Sequence, residues 1–493
     1  MPLKPVIVIV LLALSGLVSS CLNDDTYSTS PTDALTFSTD TVAFDTILSG
    51  EATHTYTFRV YNRNADAVML QSVQLERGTA SDFYVNVDGT PLSEGTGGDF
   101  ELASGDSLTV FVMANLPERD TDEPFLSEDN LVFTTLGGAM QKVALRATGQ
   151  DVITYNGKRV ARDTLMAPSR PLRIMDSLVV EAGATLTIAP GTRCYFHAGA
   201  QLIVHGTLVL AGTADQPVQL RGDRMGNMFD GQAYDRIPAQ WGGVILASES
   251  YDNYFSYADI HSGTFGVRVD SSDVTRQKLV IENSLIHNTS QHGLDIRMAN
   301  AYIGNSQITN AGADCVHIRG GDVTMVHCTI ARFYVFTGGS GVAFDFANYD
   351  GEARLPLVRL QVANTIITGY ADDEIMGDQS ATHTDDAYNY AFYNCLINTP
   401  PTEKEDKRLV NCILDRADGD DFPVKDGNFV PAFDVDALSF SFGLNPKSRA
   451  VGAADREITI STYPTDRLGR SRTDGDTAPD MGCYQHVPET SNP

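Results

Sequence analysis

Asp372-Asp373-Glu374, with Asp378 close behind, gathers groups able to do acid–base or metal chemistry. His383, Asp385 and Asp386 follow, and Asp345 lies upstream. Clustered carboxylates serve as acid and base in glycosidic cleavage, where their separation fixes the stereochemical outcome. The same oxygens, from Asp372, Asp373, Glu374 and Asp378, can hold Ca²⁺. A solvated acidic loop has the same composition. Lys278, with Arg276 two residues before it, is the candidate base for removing a proton alongside Asp372 and Asp373. Arg268, Arg297 and Arg319 each lie in or beside a Val/Ile-rich strand, where they can form a sparse basic row for an anionic sugar. Tyr334 and Tyr370 stand in or beside breaks in the pattern, and exposed aromatic faces stack on sugar rings. His261, His287, His292, His317 and His327 read as scattered over different faces.

The elements that must position these groups repeat. Asn283-Ser284-Leu285-Ile286-His287-Asn288 returns 22 residues later as Asn305-Ser306-Gln307-Ile308-Thr309-Asn310, and again 22 later from His327. Shorter copies begin at Asn364, Asn394 and Asn411. Short β-branched strands at a period of about 20–25 residues mark a solenoid, whose units cannot bury their apolar faces alone. No helical pattern intervenes, so a parallel β-helix of about three strands per coil is expected. Asn283, Asn305 and Asn364 are expected to form a hydrogen-bonded ladder between coils. Cys328, Cys395 and Cys412 share one position and read as small buried side chains; neighbouring coils at about 4.8 Å also permit a disulfide. Breaks at Tyr334–Ser340, Asn348–Leu355 and Gly369–Tyr390 are expected to build a binding face.

On these repeats the chain resembles the right-handed parallel β-helix proteins of the pectin-lyase-like superfamily. It is similar in particular to bacterial surface lipoproteins that join an Ig-like domain to such a helix. The resemblance implies an all-β chain: a right-handed parallel β-helix preceded by an Ig-like β-sandwich. It implies no single chemistry, because the fold hosts lyases, hydrolases, adhesins and spacers. The polygalacturonase set is not assembled: Asp372-Asp373 is present, but Gln291-His292-Gly293 lies upstream and no Arg-x-Lys follows.

The remaining segments give the domain plan. Residues 1–21 read as a signal peptide: Lys4, an apolar run from Val6 to Leu14, then Leu17-Val18-Ser19-Ser20-Cys21, which matches a lipobox. Acylation of Cys21 would anchor the chain to the outer membrane, and Asn23-Asp24-Asp25 resembles a signal for the cell surface. Residues 22–34 are a tether, 35–150 the sandwich, 151–171 a basic-leaning connector, 172–415 the β-helix and 416–493 a closing cap. A net charge of −28 argues against nucleic acid and against anionic membrane surfaces, leaving membrane contact to the lipid anchor alone. The expected partner is an extracellular polysaccharide or a surface protein. No cofactor is required by the sequence, although Ca²⁺ is possible. Binding of a glycan is the first expectation. A polysaccharide lyase or glycoside hydrolase is the second, and a structural or adhesive surface protein the third.

Overall fold

A computed structural model describes residues 26–229, 231–336, 339–400, 406–414, 427–429, 434, 438–474 and 478–487. Cys21 and the stretch read as a signal peptide, residues 1–21, lie outside the described residues. The chain divides into two compact units, residues 1–151 and 152–493.

The first unit is a two-sheet sandwich. One sheet runs in the order Thr36–Phe37, Tyr56–Tyr61, Ser107–Ala114, Phe83–Val87, Thr90–Pro91. The other runs Thr41–Leu48, Met140–Gln150, Phe125–Thr135, Val68–Leu75, with two short strands beyond. Pairing is antiparallel except between Thr41–Leu48 and Met140–Gln150. Alternation explains the core: Phe58 and Val60 point in, with Val42, Leu70, Val110, Phe133 and Leu145 opposite or beside them.

The second unit is a right-handed parallel β-helix. Each coil visits three sheets in turn. The first sheet has 11 strands, from Ile153–Tyr155 to Ile413–Leu414; the second has 9, from Lys158–Val160 to Ile375–Asp378; the third has 10, from Thr164–Met166 to Leu409–Val410. The helix therefore starts near residue 153 and not at 172. The expected connector is itself the first coil. Its strands are three residues long, and Lys158 and Arg159 interrupt their apolar pattern, so the repeat is masked. Arg159 turns outward to Glu181 of the next coil.

Parallel, in-register pairing stacks like on like. Ile260, Ile286, Ile308, Ile330, Ile367 and Ile397 form one unbroken inward row of the first sheet. Burying each such side chain contributes about 1.5–3 kcal/mol. The corner before each of these strands explains the recurrent Asn. Asn283, Asn305, His327, Asn364, Asn394 and Asn411 all take left-handed backbone angles, φ 48–53°. Asn tolerates that region better than other side chains do. The expected ladder exists in rungs: Asn305 Nδ2 donates to Asn283 Oδ1 at 2.7 Å, and Asn364 Nδ2 to His327 Nε2 at 3.1 Å. The next position carries a second ladder, in which Ser284 N donates to Ser306 Oγ and Cys328 N to Thr365 Oγ1. Cys328 has Ser306 and Thr365 as its row neighbours, so it faces no cysteine there. Cys395 and Cys412 occupy adjacent strands of the row and are both free thiols.

One acid breaks the apolar interior. Glu374 is fully buried and accepts from Ala371 N and Ala343 N, both at 2.7 Å. Burial pushes its carboxyl up to about 7, against the pull of those two bonds.

Two predictions follow from these corners and this acid. Asn394→Ala should cost about 1–2 kcal/mol by thermal or denaturant melting, and Asn394→Gly much less; equal losses would contradict the left-handed account. Glu374 holds its proton more tightly when folded than unfolded, so stability is full below pH about 4.5 and falls as pH rises to about 7. Against a Glu374→Gln reference, the wild type should lose about 3 kcal/mol across that window. A flat difference would contradict a buried, neutral Glu374.

Candidate functional site

The outer face of the first sheet changes character along the solenoid. Toward its C-terminal end the outward residues are apolar: Ala331, Ile366 and Leu396. Described residues of the C-terminal segment pack over them: Phe429, Phe442, Leu444, Ala450 and Met481 complete a second core. The closing segment thus lies along one side of the solenoid, where the sequence suggested a cap on its end. Buried Arg472 pins it: NH2 donates to Asn305 Oδ1 at 2.8 Å and to Gly482 O at 2.9 Å, while NH1 donates to Asp480 O at 3.2 Å. His327, also buried, bridges Gly482 O and Thr459 Oγ1. Asp466 accepts from Leu468 N and Arg470 N and so shapes the turn that presents both side chains.

Toward the N-terminal end the outward residues become polar, and the cover stops. A groove of about 500 Å³ opens there. Its floor is Leu285, His287, Gln307 and Thr309 of two adjacent coils, with Asn288 and Asn310 at the corner. One wall is Phe440, Leu468, Arg470 and Tyr484; the other includes Arg236 from the 223–240 loop. Tyr484 OH donates to Gln307 Oε1 at 2.8 Å, Gln307 Nε2 to Thr309 Oγ1 at 3.0 Å, and Asn288 Nδ2 to Arg236 O at 2.6 Å. Both walls are therefore hydrogen-bonded to the floor.

An Asp–His group stands at the groove's inner end. Asp259 and His261 alternate on one strand and share its outer face. In-register pairing sets His287 beside His261, with rings stacked at 4.7 Å. Asp259 Oδ1 lies 2.9 Å from His261 Nδ1 and 3.1 Å from His287 Nε2. Burial opposes ionisation of Asp259, yet the two imidazoles hold its carboxyl well below the usual range. Burial also pushes His261 below its ordinary value, despite Asp259. The indole of Trp241 donates to His261 O at 2.8 Å and fixes the strand from behind.

A second group lies on the outer face of the second sheet. His292 and His317 stack at 4.1 Å; His292 Nδ1 is 3.2 Å from Asp314, and His317 Nδ1 is 2.7 Å from Asp295. The histidines are therefore not scattered: four of the five form two stacked pairs, His261 and His287 at equal repeat positions, His292 and His317 at unequal positions of adjacent coils. His287 was legible as a neighbour of His261, since Asp259-Ile260-His261 aligns with Leu285-Ile286-His287 in the repeated hexad.

The acidic stretch does not assemble as the sequence suggested. Glu374 points into the solenoid, and Asp378 accepts instead from the Tyr349 hydroxyl. Among the described residues, only the two Asp–His groups bring three His, Cys, Asp or Glu ligand atoms within 4.8 Å; Asp372, Asp373, Glu374 and Asp378 do not, and they fit no calcium cage. Lys278 is buried, with Nζ donating to Ala247 O at 2.6 Å and Ser248 O at 3.2 Å; burial pushes its ammonium down to about 8. Those carbonyls follow the second-sheet strand Gly243–Leu246, five strands from the one after Asp372-Asp373, so the two are at least about 24 Å apart. They cannot act on one bond.

The basic row is likewise neutralised. Arg268, Arg297 and Arg319 share the second sheet's outer face, but each meets an aspartate: Asp270 at 3.3 Å, Asp350, and Asp345 at 2.6 Å. The insertions meet only in part: 348–355 contacts 369–390 through Tyr349 and Asp378 and through Arg354 and Asp386, but 334–340 leaves from another corner. Residues 334–340 join the first sheet to the second, and 348–355 join the second to the third. Tyr334 lies beside the groove, near Asn288, Asn310 and Phe440, whereas half-exposed Tyr370 packs edge-on against Phe333 at 4.9 Å.

Comparison with known proteins bears on the fold. No curated protein matches the chain. Among solved structures, a PapD-like domain of human CEP192 aligns at 14% identity over 27% of this chain and 94% of its own, with a TM-score of 0.16. A family 123 glycoside hydrolase from Clostridium perfringens aligns at 7% identity over 25% and 26%, TM-score 0.18. A protein of unknown function from Porphyromonas gingivalis W83 aligns at 12% identity over 26% and 59%, TM-score 0.17. Residues 242–398, which include both Asp–His groups, match the family model described as a right handed beta helix region.

Proposed function

We propose that this protein is a surface lipoprotein, anchored through Cys21, that binds an extracellular glycan in the groove on the first sheet. The groove itself carries the reading. Its volume of about 500 Å³ falls within the usual range for ligand pockets. Its lining suits a sugar: the floor of Asn288, Gln307, Thr309 and Asn310 is polar and set by hydrogen bonds, while Tyr484 and Phe440 bring aromatic rings to the wall. Arg470 on one wall favours a carboxylated sugar, and a guanidinium can meet a carboxylate with two parallel bonds. A cleavage reading rests on one observation. His287, bonded to Asp259, lines the groove and can exchange a proton with a bound chain.

The purified chain should be retained by uronic-acid polysaccharides more strongly than by neutral ones. Arg470→Ala should weaken that retention about tenfold or more, the scale of one charge-assisted hydrogen bond. Arg276→Ala, at a distant corner, should leave it unchanged. New reducing ends or unsaturated products, lost in His287→Ala, would shift the reading to cleavage. Retention by no polymer, or retention indifferent to Arg470→Ala, would remove the groove reading.

A further inference from the structure

We propose that Asp259, His261 and His287 bind one divalent transition-metal ion of the zinc class at the inner end of the groove. The site stands whether or not the groove takes a glycan.

The first argument is the donor set. Two imidazoles and one carboxylate are nitrogen and oxygen ligands of the kind zinc and its neighbours take. Calcium and magnesium call for six or more oxygens, and this group offers one carboxylate. The oxygen–nitrogen separations, 2.9 and 3.1 Å, come close to the roughly 3.4 Å between two ligands of a tetrahedral ion at about 2.1 Å. The stacked rings lie 13° from parallel, so an ion reaches both nitrogens once His287 turns about its Cβ–Cγ bond. That ring has room to turn, because its outer edge faces the groove.

The second argument is the set of contacts around the His287 ring. Asn288 Nδ2 donates to Arg236 O at 2.6 Å, so Asn288 Oδ1 faces His287 Nδ1 at 3.3 Å, while Asp259 Oδ1 faces Nε2 at 3.1 Å. Both ring nitrogens therefore face an oxygen acceptor, and a neutral ring has one hydrogen for the two. An ion on Nε2 would leave Nδ1–H for Asn288, the outer contact that orients a metal-bound histidine.

His261 is buried, and the guanidinium of nearby Arg221 is paired with Asp235 at 3.4 Å. The other Asp–His group is spoken for. His292 Nδ1 accepts from Asp314 N, Asp314 Oδ1 takes Val342 N–H, and His317 Nδ1 is held by Asp295. With three protein ligands on the first sheet, a fourth position would open into the groove.

The test is titration of the purified full chain, stripped by a chelator, with Zn²⁺ by calorimetry and with Co²⁺ by visible absorption. One ion per chain is expected, with the intense visible bands of four-coordinate cobalt. His287→Ala and the milder Asp259→Asn should each weaken binding by about 100-fold or more, with unchanged circular dichroism, while His292→Ala leaves it intact. No binding would overturn the proposal. Binding that survives His287→Ala and Asp259→Asn, or that is lost only in His292→Ala, would overturn it equally.

Discussion

The constraint on which the second unit depends is exact lateral register between coils. Each coil turns into the first sheet through a residue in the left-handed region, from Asn283 to Asn411. That corner resets the chain, so each strand enters the sheet one spacing from the last and at the same phase. A slip of one residue would exchange inner and outer faces and expose the whole isoleucine row. The hydroxyl and thiol ladder beside the corner serves the same end, since each rung ties a backbone N–H to the neighbouring coil.

Register also makes chemistry. Side chains at equal repeat positions are brought about 4.8 Å apart whatever their separation in sequence. On the inside this yields continuous apolar rows. On the outside it stacks His261 on His287, sets Asp259 diagonal to His287 and puts His317 beside Asp295. The groove exists because a second constraint ends partway along the same face. Apolar outward residues from Ala331 onward demand cover, and the C-terminal segment supplies it; the polar outward residues of the preceding coils do not. Arg472 and Tyr484 mark where cover gives way to opening.

The architecture was legible in the sequence where residues speak locally. The hexad with its leading Asn announces a left-handed corner, a buried Ile and a fixed period. The first coil was not, because three-residue strands carrying Lys158 and Arg159 hold too little pattern. The site was legible only in part. Asp372-Asp373-Glu374-Asp378 looks like a cluster in sequence, but Glu374 is buried at the turn before its strand, held by two backbone N–H groups, and Asp378 goes to Tyr349. Arg268, Arg297 and Arg319 do share a face, and their aspartate partners come from other repeat positions that sequence does not pair. The groove's wall comes from residues 438–484, more than a hundred positions from its floor, so only the fold could bring it there. Extending the hexad one coil upstream, to Asp259-Ile260-His261, would have revealed the Asp–His group.

Hydrogen–deuterium exchange of the chain with and without a uronic-acid oligosaccharide tests the central claim most directly. Slowed exchange confined to residues 285–310 and 438–472 would place the ligand in the groove on the first sheet, as predicted. Protection over residues 369–390 or over the sandwich, with the groove unchanged, would contradict it.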